Sequence, residues 1–393
     1  MDPLTDLLTS ADRLPVLPSL PADGRLHRDE HRGHLEALIP TPRRSNHAPS
    51  LAVLPSGALV AAWFGGSDEG NQDVDILVAR LDPATGRWSE GVAVTHDPER
   101  SDQNPGLFLA AEDELWLLYT SQASRQSGLE ETFNLQHTAV VRRLVSRDGG
   151  ESWEGPETVF DQAGTFARQP IQRLAGGRLV HAQWLCHDDD TLNGSDQPVL
   201  QLSEDDGASW RRVEVPEAAG RVHPNAVELA PGRLVALFRD RFAEAVQISR
   251  SEDGGESWSA PVATELPNNN AGLSALRLPS GRLAVVSNEE NDPREGAVHW
   301  PYERTRMSIA VSEDEGRSFP VRRIVEPGDG FSGRGNRRSN RRQEYPHAVL
   351  DAGGRLHVLY AHDSRVAIKH VVLEEGWIDG TPDQAHPDAK LWS

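Results

Sequence analysis

The chain has 393 residues, enough for two or three ordinary domains or for one large repetitive one. Its 40 Lys and Arg stand against 60 Asp and Glu, a formal charge of −20 that argues against nucleic acid and anionic membranes as partners, so an anionic ligand must find a local basic pocket. A single cysteine, Cys186, excludes an internal disulfide framework and a cysteine-based zinc cluster.

The first residues, MDPLTDLLTSADRLPVLPSLPADG, lack a basic start followed by a long apolar core, and no run of eighteen apolar residues follows, so a cytoplasmic protein is expected. Residues 1–45 read as a lead-in whose one helical candidate is HRDEHRGHLEAL, residues 27–38. From residue 46 to residue 377 an apolar strand, a tight turn and a second apolar strand recur six times. The copies begin with SLAVLPSGALVAAWFGG and end with PHAVLDAGGRLHVLYAH. Their turns centre on Gly57, Asp113, Gly177, Gly232, Gly281 and Gly354, at separations of 56, 64, 55, 49 and 73 residues. Hairpins repeating at about the length of one four-stranded sheet predict an all-β fold, a six-bladed β-propeller. Residues 378–393 read as a tail.

Between the hairpins lies a second motif: SRDGGESW from Ser146, SEDDGASW from Ser203, SEDGGESW from Ser251 and SEDEGRSF from Ser312, with a worn copy, DPATGRW, from Asp82. In each the aspartate suits turn amides, the glycine a left-handed backbone, and the aromatic the gap between strands. The sixth repeat has none because the chain ends, so residues before Asn46 are expected to supply the last blade's outer strand.

In an up-and-down blade with strands A to D, the start of A and the B–C loop share one face, while the A–B and C–D turns share the other. The first face gathers large polar residues. Strand-A starts contribute Asn46 and His47, Gln103 and Asn104, Arg168 and Gln169, His223 and Asn225, Asn268 to Asn270 with Asn269 central, and Glu344 with Tyr345. B–C loops add Asp68, Glu69, Asp73 and Asp75, then Arg239 and Arg241, then Arg304 and Arg306.

The four S-x-D-x-G-x-S-W turns within a six-fold repeat resemble the Asp boxes of the sialidase (neuraminidase) superfamily over about residues 45 to 373. The resemblance implies three arginines that grip a substrate carboxylate, a loop aspartic acid, and a tyrosine, primed by a glutamate, that attacks the sugar. By this resemblance Tyr345 is the tyrosine, Arg239 and Arg306 are two of the arginines with Arg304 competing for the second place, and Asp73, Asp68 or Asp75 is the loop acid. Two departures stand out: His47, in H-A-P, replaces the arginine of an R-I-P motif, and His223 replaces the glutamate. Arg44 is a stand-in for the lost arginine.

Loss of that arginine argues against a true sialidase and for a uronate-bearing glycan. Histidine exchanges protons near neutral pH, as arginine does not, so His47 and His223 become candidate bases. With Asp73 as acid they point to hydrolysis; with the arginines neutralising a uronate and Tyr345 protonating the leaving group they point to β-elimination, as in a lyase. The presence of loop carboxylates favours hydrolysis. A propeller that binds a glycan or protein without chemistry is the rival class. No cofactor and no metal are implied, and the expected partner is an acidic oligosaccharide or small glycoside. HDDD at 187–190 resembles a hard-cation cluster but reads as solvated. The arginine-rich segment 328–343 reads as a mobile loop beside Tyr345, and Trp63, Phe64 and Trp184 as possible platforms for a sugar ring.

Overall fold

Each strand–turn–strand repeat forms the two inner strands of an antiparallel sheet, and six such sheets appear among the described residues of the computed structural model. These are residues 20–380 without 128–134, 190–192 and 332–335, so the first nineteen residues, most of the tail, Asp190 and part of the arginine-rich segment lie outside them. Blade 1 begins with Ser45–Val53 and Leu59–Gly66, blade 2 with Arg100–Ala111 and Glu114–Ala123, and blade 4 with Arg221–Ala230 and Arg233–Asp240. Blade 3 has its inner strand broken into Thr165–Ala167 and Gln172–Arg173.

Blade 6 is built from both ends of the chain. Its inner strands Glu344–Leu350, Leu356–His362 and Ala367–Leu373 are followed in the sheet by His34–Ile39, paired from Leu35 against Val372 to Ile39 against Ile368. The stretch read as a helical candidate, residues 27–38, is therefore a hairpin: His27–Asp29 pairs with His34–Ile39. Gly33, with φ of +71°, supplies the left-handed turn that a helix could not pass through. At the other end a short helix, Glu375–Asp379, buries Ile378 between blades 5 and 6, so packed structure continues through residue 379.

The cores lie between blades, not within them. Ala37, Ile39, Leu51, Trp63 and Leu77 join Leu359 and Ile368 across the closure of blades 1 and 6, and similar clusters fill the gaps between other neighbours. With both faces of a sheet covered, strands such as Leu59–Gly66 are apolar throughout. The S-x-D-x-G turns tighten the same gaps. In each, the glycine amide donates to the first serine, and the last serine's amide donates to the aspartate: Gly150 to Ser146 at 2.8 Å and Ser152 to Asp148 at 2.9 Å, with equivalents from Ser203, Ser251 and Ser312. Each glycine rests on the preceding blade, Gly150 on Val60, Gly207 on Trp116, Gly255 on Leu202 and Gly316 on Ile248. No described helix is long and apolar enough to cross a membrane.

Closure by His34–Ile39 makes a measurable demand. Ile39→Ala, at a side chain 1% exposed, should cost about 2–4 kcal/mol of stability in urea unfolding; a loss under about 0.5 kcal/mol would mean that the segment does not hold the ring shut.

Candidate active site

The inner strands do not start straight. In blades 1, 2, 4 and 6 the register slips just after the first residues, between His47 and Ser50, Gln103 and Gly106, Val222 and Asn225, and Glu344 and His347. At each slip the residue before a proline is left-handed: Ala48 (φ +50°), Asn104 (+48°), His223 (+51°) and Tyr345 (+53°); in blade 5 Asn270 (+54°), followed by Ala271, is left-handed without a proline. Such bulges re-aim a side chain, and the conformation is costly for a histidine or tyrosine, so its repetition marks a site.

Tyr345 is the point where the bulges converge. Its hydroxyl accepts a hydrogen bond from Arg239 Nη1, and the same nitrogen donates to His223 Nε2 at 3.1 Å. His47 lies against the phenol ring with centroids 4.2 Å apart, and His223 meets it edge-on at 5.4 Å. Trp184 stacks on His223 at 4.4 Å, fixing the imidazole plane. Arg168 runs beneath the ring, 5.0 Å from its centroid, and donates to the carbonyls of Tyr345 and Pro346 at 3.0 and 2.9 Å, which holds the left-handed turn in place. Gly272 makes this packing possible, since a Cβ there would come within 3.2 Å of Arg168 Nε and of Tyr345 Cγ.

Glu344 gathers a second group. Arg304 donates to it at 2.7 Å and to the carbonyl of Asn270 at 2.8 Å, while Arg365 donates to its other oxygen at 3.0 Å. Burial alone would raise the Glu344 carboxyl, but Arg365 and Arg304 outweigh it and hold the group well below the usual carboxylate range. Arg365 also donates to Glu69 at 2.7 Å. Burial lowers Arg239 to about 9 and Arg168 to about 10, which leaves both charged at neutral pH. The same burial, aided by Arg365 at His47 and by Arg239 at His223, pushes both imidazoles well below 6.5. Four guanidinium groups, of Arg168, Arg239, Arg304 and Arg365, with a fifth, of Arg342, 3.7 Å from Glu344, thus face two carboxylates, of Glu344 and Glu69, around neutral histidines. Arg168 Nε and Nη1, Arg304 Nε, His223 Nδ1 and both nitrogens of His47 are buried without a partner, an arrangement suited to an anionic ligand.

Not every residue read from the sequence belongs to this cluster. His47, His223, Tyr345, Arg168, Arg239, Arg304 and Glu344 do. Arg306 instead lies 3.7 Å from Glu290, and of the two it is Arg304 that meets Glu344 in the cluster. Asp73 accepts from the amide and hydroxyl of Ser67 and clasps its own loop; Asp68 pairs with Arg125, and Asp75 with Arg43. The loop acid that touches the cluster is Glu69, through Arg365. Asn46 is spent on Thr41, Trp63 and the carbonyls of Arg43, Arg365 and Val366. Gln169 bonds the Leu273 carbonyl, Asn225 the Ala275 amide, and Arg241 the buried Asp196 at 2.6 Å. Asn269 ties the loop at Glu303, leaving its own oxygen buried and unpartnered, and Asn104 forms the blade 2 bulge. Among the described residues Arg44 forms no hydrogen bond or ion pair with the cluster. Trp63 is core, its indole on Asn46, and Phe64 packs edge-on against His47. The residue that the sequence passed over is Arg365.

Residues 57–358 match the family model BNR_2, described as a BNR repeat-like domain. The chain belongs to this family of the sialidase superfamily. A curated relative, the sialidase of Micromonospora viridifaciens, is 25% identical over 315 residues, which span 71% of this chain and 46%, about half, of that protein. Among solved structures, the Hadza microbial sialidase Hz136 superposes with a TM-score of 0.69 at 16% identity, over 85% of this chain and 66% of its own. The intramolecular trans-sialidase of Ruminococcus gnavus, solved with oseltamivir carboxylate, gives 0.67 at 14% over 86% and 96%. These likenesses show the BNR propeller fold.

Neutral imidazoles at this site of the BNR propeller have a pH consequence. With folded values below the 6.5 of an open chain, His47 and His223 bind protons first when unfolded. Their contribution to stability is therefore full above about pH 6.5 and is lost as pH falls toward the folded values. Ring-nitrogen NMR of labelled protein, assigned with His47→Gln and His223→Gln, should show both rings neutral at pH 6; an inflection near 6.5 at either would contradict the buried arrangement.

Proposed function

We propose that this propeller is a glycosidase-like enzyme that cleaves the bond to an acidic sugar. The observation that supports this most is the Tyr345 hydroxyl on Arg239, set by a strained backbone among guanidinium groups that outnumber the nearby carboxylates within a protein of net charge −20. In this reading Arg304, Arg168 and Arg239 orient a substrate carboxylate. The Tyr345 oxygen attacks the anomeric carbon, and its proton passes to His223 Nε2, which gives up its hydrogen bond from the Arg239 nitrogen that the two side chains share. The guanidinium stabilises the charge that develops on the phenol oxygen. Glu69, protonated from solvent once it leaves Arg365, gives its proton to the leaving oxygen; water, losing a proton to Glu69, then releases the sugar, and His223 returns its proton to the Tyr345 oxygen. Burial, with Arg239 and Arg168, depresses His223; a bound anion offsets the arginines' part, so the base strengthens when substrate is present. Trp300, 49% exposed and next to His299, whose carbonyl receives Asn270, offers an aromatic face at the rim. Because no arginine occupies the His47 position, a uronate fits this reading better than a sialic acid.

A second reading, elimination, is favoured by one feature: His47 presses on the Tyr345 ring with both nitrogens unpartnered and neutral, the state required of a base that removes a proton next to a neutralised carboxylate.

Purified protein incubated with uronate-bearing and sialylated oligosaccharides, followed by mass spectrometry, separates the readings. Hydrolysis yields products heavier in total by one water, and elimination yields an unsaturated uronate with no water gained. Tyr345→Phe should lower kcat/KM by at least about 10³-fold, roughly 4 kcal/mol of barrier, with an unchanged melting curve. Absence of cleavage across the panel would leave a binding propeller.

A further inference from the structure

Arg365 lies in the B–C loop of blade 6, where Asp363, Ser364 and Arg365 are all left-handed, with φ of +52°, +56° and +75°. Few non-glycine loops hold three such residues in a row, and this one is pinned from two sides. Ser364 exchanges hydrogen bonds with Arg342, its amide donating to the Arg342 carbonyl at 2.9 Å and its hydroxyl accepting from the Arg342 amide at 3.0 Å. The backbone amide of Asn46 donates to the Arg365 carbonyl at 2.7 Å, with the Asn46 side chain reinforcing it. Asn46 precedes His47, so the strand that carries the histidine also carries the strut that sets Arg365 beside it.

From this geometry we infer that Arg365 is a specificity-determining residue of the site: it supplies a carboxylate-binding cation from blade 6 where blade 1 offers only His47, and Glu69 occupies it as a stand-in until the substrate's carboxylate takes over. The inference rests on the acidic-sugar reading above. Three observations carry it. Arg365 is bonded through Nε to Glu344, the neighbour of Tyr345, so its charge is fixed at the reacting group. Its Nη1 is held by Glu69, a carboxylate from a different blade on a loop that is itself tethered by Arg125 donating to the Glu69 carbonyl. The two side chains remain 15% and 24% exposed, unlike the 0% of Glu344, so this pair is the part of the cluster that solvent and ligand reach. Exchange of one carboxylate for another keeps Arg365 Nη1 paired, and the displaced Glu69, 24% exposed, takes up a proton from solvent, which both restores the charge count and supplies the acid that the leaving oxygen needs.

The test uses calorimetric binding of methyl β-D-glucuronide, N-acetylneuraminate and the neutral methyl β-D-glucoside to the full chain. Arg365→Gln should weaken the acid that the wild type binds by about ten- to a hundredfold and leave the neutral sugar unchanged. Arg365→Lys, which keeps the charge and guards against misfolding, should recover part of the loss. Glu69→Gln should tighten the acid by about three- to tenfold while abolishing turnover, because the competitor and the acid are the same group. Retention of acid binding within twofold in Arg365→Gln, or no tightening in Glu69→Gln, overturns the exchange. If the wild type binds neither acid, the acidic-sugar reading itself has failed, and this inference with it.

Discussion

The left-handed bulge at the head of the inner strands is the constraint on which the site depends. A regular strand alternates its side chains between the two sheet faces, both of which are filled by inter-blade cores here, so nothing on it can aim along the propeller axis. One extra residue, locked by a following proline in four blades, turns Tyr345, His223 and their neighbours out of that alternation. The cost is met by contacts from elsewhere: Arg168 holds the carbonyls on either side of the Tyr345–Pro346 bond, and Gly272 leaves the room that Arg168 needs. Strain at the site is thus carried by the rigidity of the packed ring.

Electrostatics follow from the same burial. Guanidinium groups removed from water keep their charge, while imidazoles beside them give theirs up, so the pocket separates fixed cations from neutral proton acceptors. Glu344 stays ionised because two arginines grip it, and as a buried charge whose partners cannot be removed cheaply it locks Arg304 and Arg365 into position. The cluster holds a positive surplus although the chain as a whole is strongly acidic, and this contrast is what points to an anionic ligand.

Much of this was legible in the sequence because it is local. Strand–turn–strand repeats and S-x-D-x-G turns have short-range causes, and counting them gives the blades. The prolines after Ala48, His223 and Tyr345 mark strand starts, and with them the residues that meet at the axis. What failed had long-range causes. Asn46 and Asn225 look like ligand contacts because they are polar and at strand starts, yet each satisfies backbone groups of another strand or blade. Arg304 and Arg306 are two residues apart on a loop, and only the position of Glu344 decides between them. Asp73 and Glu69 share a loop, and the choice is made by Arg365, some three hundred residues away, on a turn with no motif. The segment 27–38 carries helix-compatible residues, but its fate is set by the open edge of blade 6 and by Gly33.

In the proposed mechanism Tyr345 is the group that meets the sugar. The most direct measurement is the intact mass of the protein after incubation with an acidic glycoside carrying a good leaving group and a fluorine next to the anomeric carbon, which slows release of a covalent intermediate. A gain of one sugar residue, mapped by peptide fragmentation to Tyr345, is the result expected. An unmodified protein that nevertheless consumes the glycoside, or an adduct on another residue, would contradict it.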